Sequence, residues 1–193
     1  MKINPVRTYP KVVGFFFLIM FLAIAAILFT GFFPIAKVDS SWVLAKDLDR
    51  TMVIAERYYQ AIKKAYKLND PENPPTEEEL KANVLLSLIE EKLIEQGARE
   101  ELGGEFDRIL SLRLAEAVKD QELLEAGQGL YGLSREEFIN EVLKPGVRAD
   151  ILESQLFMSS TDLNEWLADR KEQAQVAIYS SDYYWDGEVV GVK

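Results

Sequence analysis

The run from Val12 to Phe33, VVGFFFLIMFLAIAAILFTGFF, holds 22 consecutive residues without a charge. As a helix rising about 1.5 Å per residue, it would reach about 33 Å, against a hydrocarbon layer of about 30 Å. A helix also satisfies its own backbone hydrogen bonds, as lipid demands. Lys2, Arg7 and Lys11 precede the run with no acid among them, and only Lys37 separates it from Asp39. The bias of basic residues toward the inner face predicts residues 1–11 in the cytoplasm, a signal anchor over 12–35 and everything from residue 36 onward outside. The expected location is thus the cytoplasmic membrane, crossed once, with Val12–Phe33 against the bilayer. A cleaved leader fits less well. Its apolar core spans about 7–15 residues, whereas here apolar sequence continues past the small residues of Ala23-Ile24-Ala25.

Composition removes most familiar chemistry. The 193 residues include no cysteine and no histidine. Disulfides, thiolate nucleophiles, zinc–thiolate sites and acylated lipoprotein cysteines are therefore excluded. Ser–His and Cys–His catalysis and imidazole metal sites go with them. The first 37 residues carry four basic groups and no acid, leaving 18 basic and 32 acidic groups for the remainder. So acidic a domain is poorly suited to nucleic acid, whose binding begins with neutralised phosphates. A serine–lysine hydrolase survives the missing histidine, with Ser40, Ser41 and Lys46 as its nearest candidates, but no flanking motif supports it. The paired acids Glu77-Glu78-Glu79, Glu90-Glu91 and Glu136-Glu137 point about 100° apart on a helix and do not converge. Neither a metal nor a cofactor is expected.

The rest reads as helices. Val38 to Val43 is a short strand-like stretch, after which Asp47 is placed to cap a helix. That helix sets Leu48, Met52, Ala55, Tyr59, Ile62 and Tyr66 on one face. Prolines at 71, 74 and 75 break it. Thr76 with Glu79 has capping-box spacing and opens a helix bearing Leu80, Leu85, Leu86, Ile89, Leu93 and Ile94. Gly103-Gly104 ends that helix, and Phe106 to Val118 forms the next, closed by the glycines at 127, 129 and 132. Ser134 with Glu137 makes a second capping box. It opens a helix with Phe138, Ile151, Leu152 and Phe157 inward and a kink at Pro145-Gly146. A last helix carries Trp166 and Leu167, and Val176 and Ile178 alternate as a strand does. Because short strands need a partner, Val38–Val43 and Val176–Tyr179 are expected to meet. Residues 181–193 are read as an aromatic, acidic tail.

In order and pattern, this chain resembles the N-terminal chaperone domain of SurA-like and PrsA-like foldases, related in fold to the chaperone part of trigger factor. The resemblance lies in Leu85-Leu86-Ser87-Leu88-Ile89-Glu90-Glu91-Lys92-Leu93-Ile94, Tyr131-Gly132-Leu133-Ser134-Arg135-Glu136-Glu137-Phe138, Val142-Leu143-Lys144-Pro145 and Asp162-Leu163-Asn164-Glu165-Trp166-Leu167. It implies a mostly α domain over 36–180, following the transmembrane helix and closed by a short terminal strand pair. It further implies binding of unfolded or newly exported polypeptides. The family's parvulin isomerase domain is missing: only Met158 to Thr161 stand between Phe157 and Asp162. The expected protein is therefore a chaperone and not an enzyme. The alternative is a helical scaffold docking one folded membrane-associated partner.

Holding unfolded chain requires apolar surface outside the core. Aromatic side chains supply large contact area at small entropic cost. The candidate client-binding residues are Tyr58, Tyr59 and Tyr66 on the first long helix and Tyr183, Tyr184 and Trp185 in the tail.

Overall fold

The computed structural model describes residues 31–67 and 74–193. Within them the chain is mostly helical with five short strands. Strands β1 (Pro34–Val38) and β2 (Ser41–Leu44) form a hairpin that runs directly into helix α1 (Ala45–Tyr66). Asp47 works from the third helical position, where its carboxylate accepts the Leu44 N–H at 3.2 Å. Helix α2 (Glu77–Leu102) begins at the expected capping box: Thr76 N–H donates to Glu79 Oε2 at 2.7 Å and Glu79 N–H to Thr76 Oγ1 at 3.2 Å. A 3₁₀ turn at Gly103–Glu105 leads into α3 (Phe106–Ala117).

One helix was not foreseen. Asp120 accepts the Leu123 N–H at 2.9 Å and caps α4 (Gln121–Tyr131), which runs through two glycines read as breaks. Gly127 is there for contact: a Cβ at that position would overlap the Phe138 ring. The second expected capping box, Ser134 with Glu137, opens α5 (Arg135–Phe138). A π-helical turn over Ile139–Leu143 then joins it to α6 (Lys144–Met158). Pro145 lies at the start of α6, lacks an N–H and crowds the carbonyl one turn back. The widened turn just before it absorbs that conflict, so the expected kink takes the form of a bulge one turn earlier. Asp162 caps α7 (Leu163–Gln173), accepting from Asn164 N–H at 2.8 Å.

The chain then returns to its start. Strand β3 (Val176–Ile178) pairs antiparallel with β1 in the register Ala36↔Ile178 and Val38↔Val176. Asp39 N–H donates to the Gln175 carbonyl and Gln175 N–H to the Asp39 carboxylate, each at 2.9 Å. The two strand segments expected to meet do meet, in a sheet of order β2-β1-β3. Strands β4 (Tyr183–Trp185) and β5 (Val190–Val192) form a separate hairpin.

Helix α2 is the spine of the packing. Its Leu85, Ile89 and Leu93 meet Ala36, Val38 and Val43 of the sheet in one buried cluster. Its far end contributes Ala98 to a second cluster with Phe106, Ile151 and Leu152. Ile54 of α1 enters a third, smaller cluster with Leu124, Leu133 and Phe138.

Four expectations are corrected. Residues 181–193 are no tail: Tyr183 and Val190 are buried against the first cluster, which makes the hairpin part of the domain. On α1, Ala55, Tyr59 and Tyr66 are exposed, and Ile54 is buried instead. Phe157, expected inward, is 81% exposed at the end of α6. The fourth concerns the anchor. The run Val12–Phe33 lies outside the described residues up to residue 30. Its stated end does not continue as helix, since residues 31–33 form a turn and a bend and Pro34 already opens β1. Gly31 and Phe33 carbonyls accept from Lys46 and Ala45 N–H at 3.1 and 3.0 Å, folding this stretch onto the start of α1. Among the described residues no helix is long and apolar enough to cross a membrane. A single-pass location is therefore not supported.

Candidate functional site

Strand alternation divides the β2-β1-β3 sheet into two chemically different faces. Ala36, Val38 and Val43 point at α2 and are wholly buried. The opposite parity places Lys37, Trp42, Ala177 and, just past β3, Tyr179 on the outer face. Trp42 and Tyr179 are 48% and 55% exposed, and their ring centroids lie 6.0 Å apart across β1. The Lys37 ammonium sits 5.3 Å from the Trp42 centroid, a cation–π distance. Phe32 and Phe33, just before β1, are also exposed, with Lys46 Nζ 3.8 Å over the Phe32 ring.

The shelf is held rigidly. Tyr179 N–H donates to the Ile35 carbonyl at 2.8 Å, and Gln96 of α2 donates to Val38 O and Ser41 Oγ at 3.1 and 3.0 Å. Neither β2 nor β3 has a further strand on its outer side among the described residues. Unpaired strand edges offer N–H and C=O groups to another extended backbone. An aromatic shelf between two open edges can therefore take apolar side chains and main chain together. The sequence pattern held this signal, since Trp42 and Tyr179 are the large residues out of phase with the buried ones. The sequence reading did not single them out.

The six candidate residues do not form one surface. Tyr58, Tyr59 and Tyr66 are exposed on α1, where Tyr58 stacks on Tyr131 at 5.0 Å. Tyr183 belongs to the core, where burial pushes its phenol pKa up. Trp185 is partly buried against the same cluster. Tyr184 is exposed on the hairpin, its ring lying over Gly191.

The acidic runs have structural partners. Glu77 pairs with Lys81 at 2.6 Å, a hydrogen bond that lowers its pKa. Glu90 meets Lys171, and Glu91 meets Arg148, each at 3.0 Å; burial raises the Glu91 pKa. Glu137 accepts from Arg50 at 2.8 Å, and this bond, with those from Ser134, holds its carboxyl at about 2. Arg50 also reaches Glu141 at 3.4 Å, so paired charges line the groove between α1 and α5. No cluster of three or more metal-ligating side chains occurs among the described residues. The serine–lysine arrangement is not assembled: Ser41 Oγ receives the Gln96 amide, and the Lys46 ammonium lies over Phe32.

No family model matches the chain, and comparison with curated proteins and with solved structures gives no match either.

Proposed function

We propose that this protein holds unfolded polypeptide, as a chaperone-like domain of the SurA N-terminal type without isomerase activity, and that the client lies on the outer face of β2-β1-β3. The carrying observation is the exposed Trp42–Tyr179 shelf, flanked by strand edges that are unpaired among the described residues. Its aromatic rings suit varied apolar side chains, and its edges match main chain, which every client has. The family reading is further supported by the order of elements and by the pairing of β1 with β3. The non-enzymatic part rests on the missing histidine and cysteine and on the short turn between α6 and α7. Prolyl isomerisation has a barrier of about 18–20 kcal/mol, and lowering it needs a pocket that grips the twisted bond.

Two assays on the full chain test the proposal. Light scattering from an aggregating client should fall in its presence, and a proline-limited refolding reaction should keep its rate. The double variant Trp42→Ala/Tyr179→Ala should lose most of the protection while keeping the helical circular dichroism spectrum. Absence of protection by the unaltered protein would favour a scaffold with one folded partner. Accelerated refolding would overturn the non-enzymatic reading.

A further inference from the structure

Arg50, Arg99 and Arg148 are each shared between two carboxylates. Arg148 of α6 reaches Glu91 and Glu95 of α2 at 3.0 and 3.1 Å, both through Nη1. Its Nε is buried without a hydrogen-bond partner among the described residues, so one nitrogen serves both acids. Arg99 is divided between Glu95 and Asp107 at 3.2 and 3.1 Å, and Arg50 between Glu137 and Glu141 at 2.8 and 3.4 Å. Three arginines thus stand among five acids.

The excess falls on Glu91. Glu95 draws on two arginines, Arg148 and Arg99, whereas the ion pair of Glu91 is with Arg148. The two glutamates stand four positions apart on one face of α2, where like charges repel. Lys92 of α2 and Glu141 of the π-helical turn also face Glu91, and Glu141 already shares Arg50. The adjacent Glu90 is taken up with Lys171 of α7 at 3.0 Å. The side chains of Arg148 and Glu91 are 13% and 27% exposed, so water screens the cluster poorly. Carboxylates that crowd one site in this way do not all stay ionised as readily as separated ones.

We infer that Glu91 is a proton-operated latch between α2 and α6: on mild acidification it takes up a proton, leaves Arg148 to Glu95, and strengthens the hold of α6 on α2. Linkage gives the direction. Burial raises the Glu91 pKa from its ordinary 4.5, so the folded state binds this proton before the unfolded state does. The charged form therefore costs stability at neutral pH, and the cost is relieved as pH falls toward 4.5. Glu137, at the other end of the row, responds in the opposite sense because its pKa is depressed. The latch does not depend on the reading given to the sheet face.

Urea unfolding of the full chain between pH 7 and pH 4.5 tests the inference. Glu91→Gln keeps the shape and removes the charge. Its midpoint should lie above that of the unaltered protein at pH 7, and the difference should shrink steadily toward pH 4.5. An ordinary salt bridge gives the reverse sign: a variant less stable at pH 7, with a deficit that closes in acid. That result would overturn the latch, as would equal midpoints throughout. Carbon-13 NMR of the side-chain carboxyls supplies a second measurement that needs no Glu91 variant. Glu91 should titrate above 4.5 in the unaltered chain, and Glu95→Gln, which leaves Arg148 to Glu91, should bring its midpoint down. A Glu91 carboxyl that titrates at or below 4.5, or one that ignores Glu95→Gln, would equally sink the proposal.

Discussion

Helices α1 and α2 are the longest among the described residues, at 22 and 26 residues, and both carry apolar residues at helical spacing. Their fates differ. Helix α2 buries eight residues and is covered along its length by the sheet, the hairpin, α6 and α7. Helix α1 buries three, all in its first half, and its second half stands outside the core. Periodicity states which side of a helix is greasy; it does not state that anything covers that side. Where the neighbours arrive, the stripe becomes core, and where they do not, the same pattern becomes surface available for binding.

The sharpest way to break this contrast is to cut equivalent apolar side chains from each helix. Leu93→Ala should cost about 2–5 kcal/mol, because a wholly buried leucine loses both transfer energy and packing. Tyr66→Ala should change stability by less than about 0.5 kcal/mol. Denaturant midpoints of the two variants measure both, and comparable losses would mean that α1 is covered after all.

A somewhat smaller effect is expected at Gly97, near the C-terminal end of α2, where a Cβ would overlap the Trp166 ring. Gly97→Ala should destabilise by about 1–3 kcal/mol despite alanine's better helix propensity. Thermal melts of Gly97→Ala, Trp166→Ala and the double variant should show a combined loss smaller than the sum of the two single losses, because the overlap disappears with the ring.

The weaker attachment of α1 has a pH signature. The Glu137 carboxyl, bonded to Arg50, is held at about 2, below its ordinary value of 4.5. A depressed folded pKa favours the folded state above the unfolded pKa. This contribution is therefore complete above about pH 4.5 and lost as pH falls toward about 2. Glu137→Gln should flatten the acid limb of stability against pH in that window and cost the same amount at pH 7, a small one because exposed pairs contribute weakly. An unaltered acid limb would show that Arg50 does not fasten α1 to α5.

The contrast also explains what was legible in the sequence. Thr76–Glu79 and Ser134–Glu137 were readable because a capping box is local and its residues specify their own partners. The meeting of β1 and β3 followed from the instability of lone short strands. Gly127 was misread because its reason, the Phe138 ring, comes from a different helix. The hairpin at 183–192 was read as a tail because three-residue strands carry too little alternation to declare themselves. The shelf of Trp42 and Tyr179 escaped notice for the same kind of reason. Its two rings belong to segments at opposite ends of the domain and become one surface only across β1.

The bonds between Asp39 and Gln175 join residues 136 positions apart, and the sheet is finished only by the last part of the domain. Contacts this distant close late, because a long loop must be ordered before they return any free energy. During synthesis β1 emerges early and then waits, its inner edge unfilled, until β3 leaves the ribosome. For that interval the nascent chain carries an apolar strand paired on one side only, with the strand of Trp42, and open on the other.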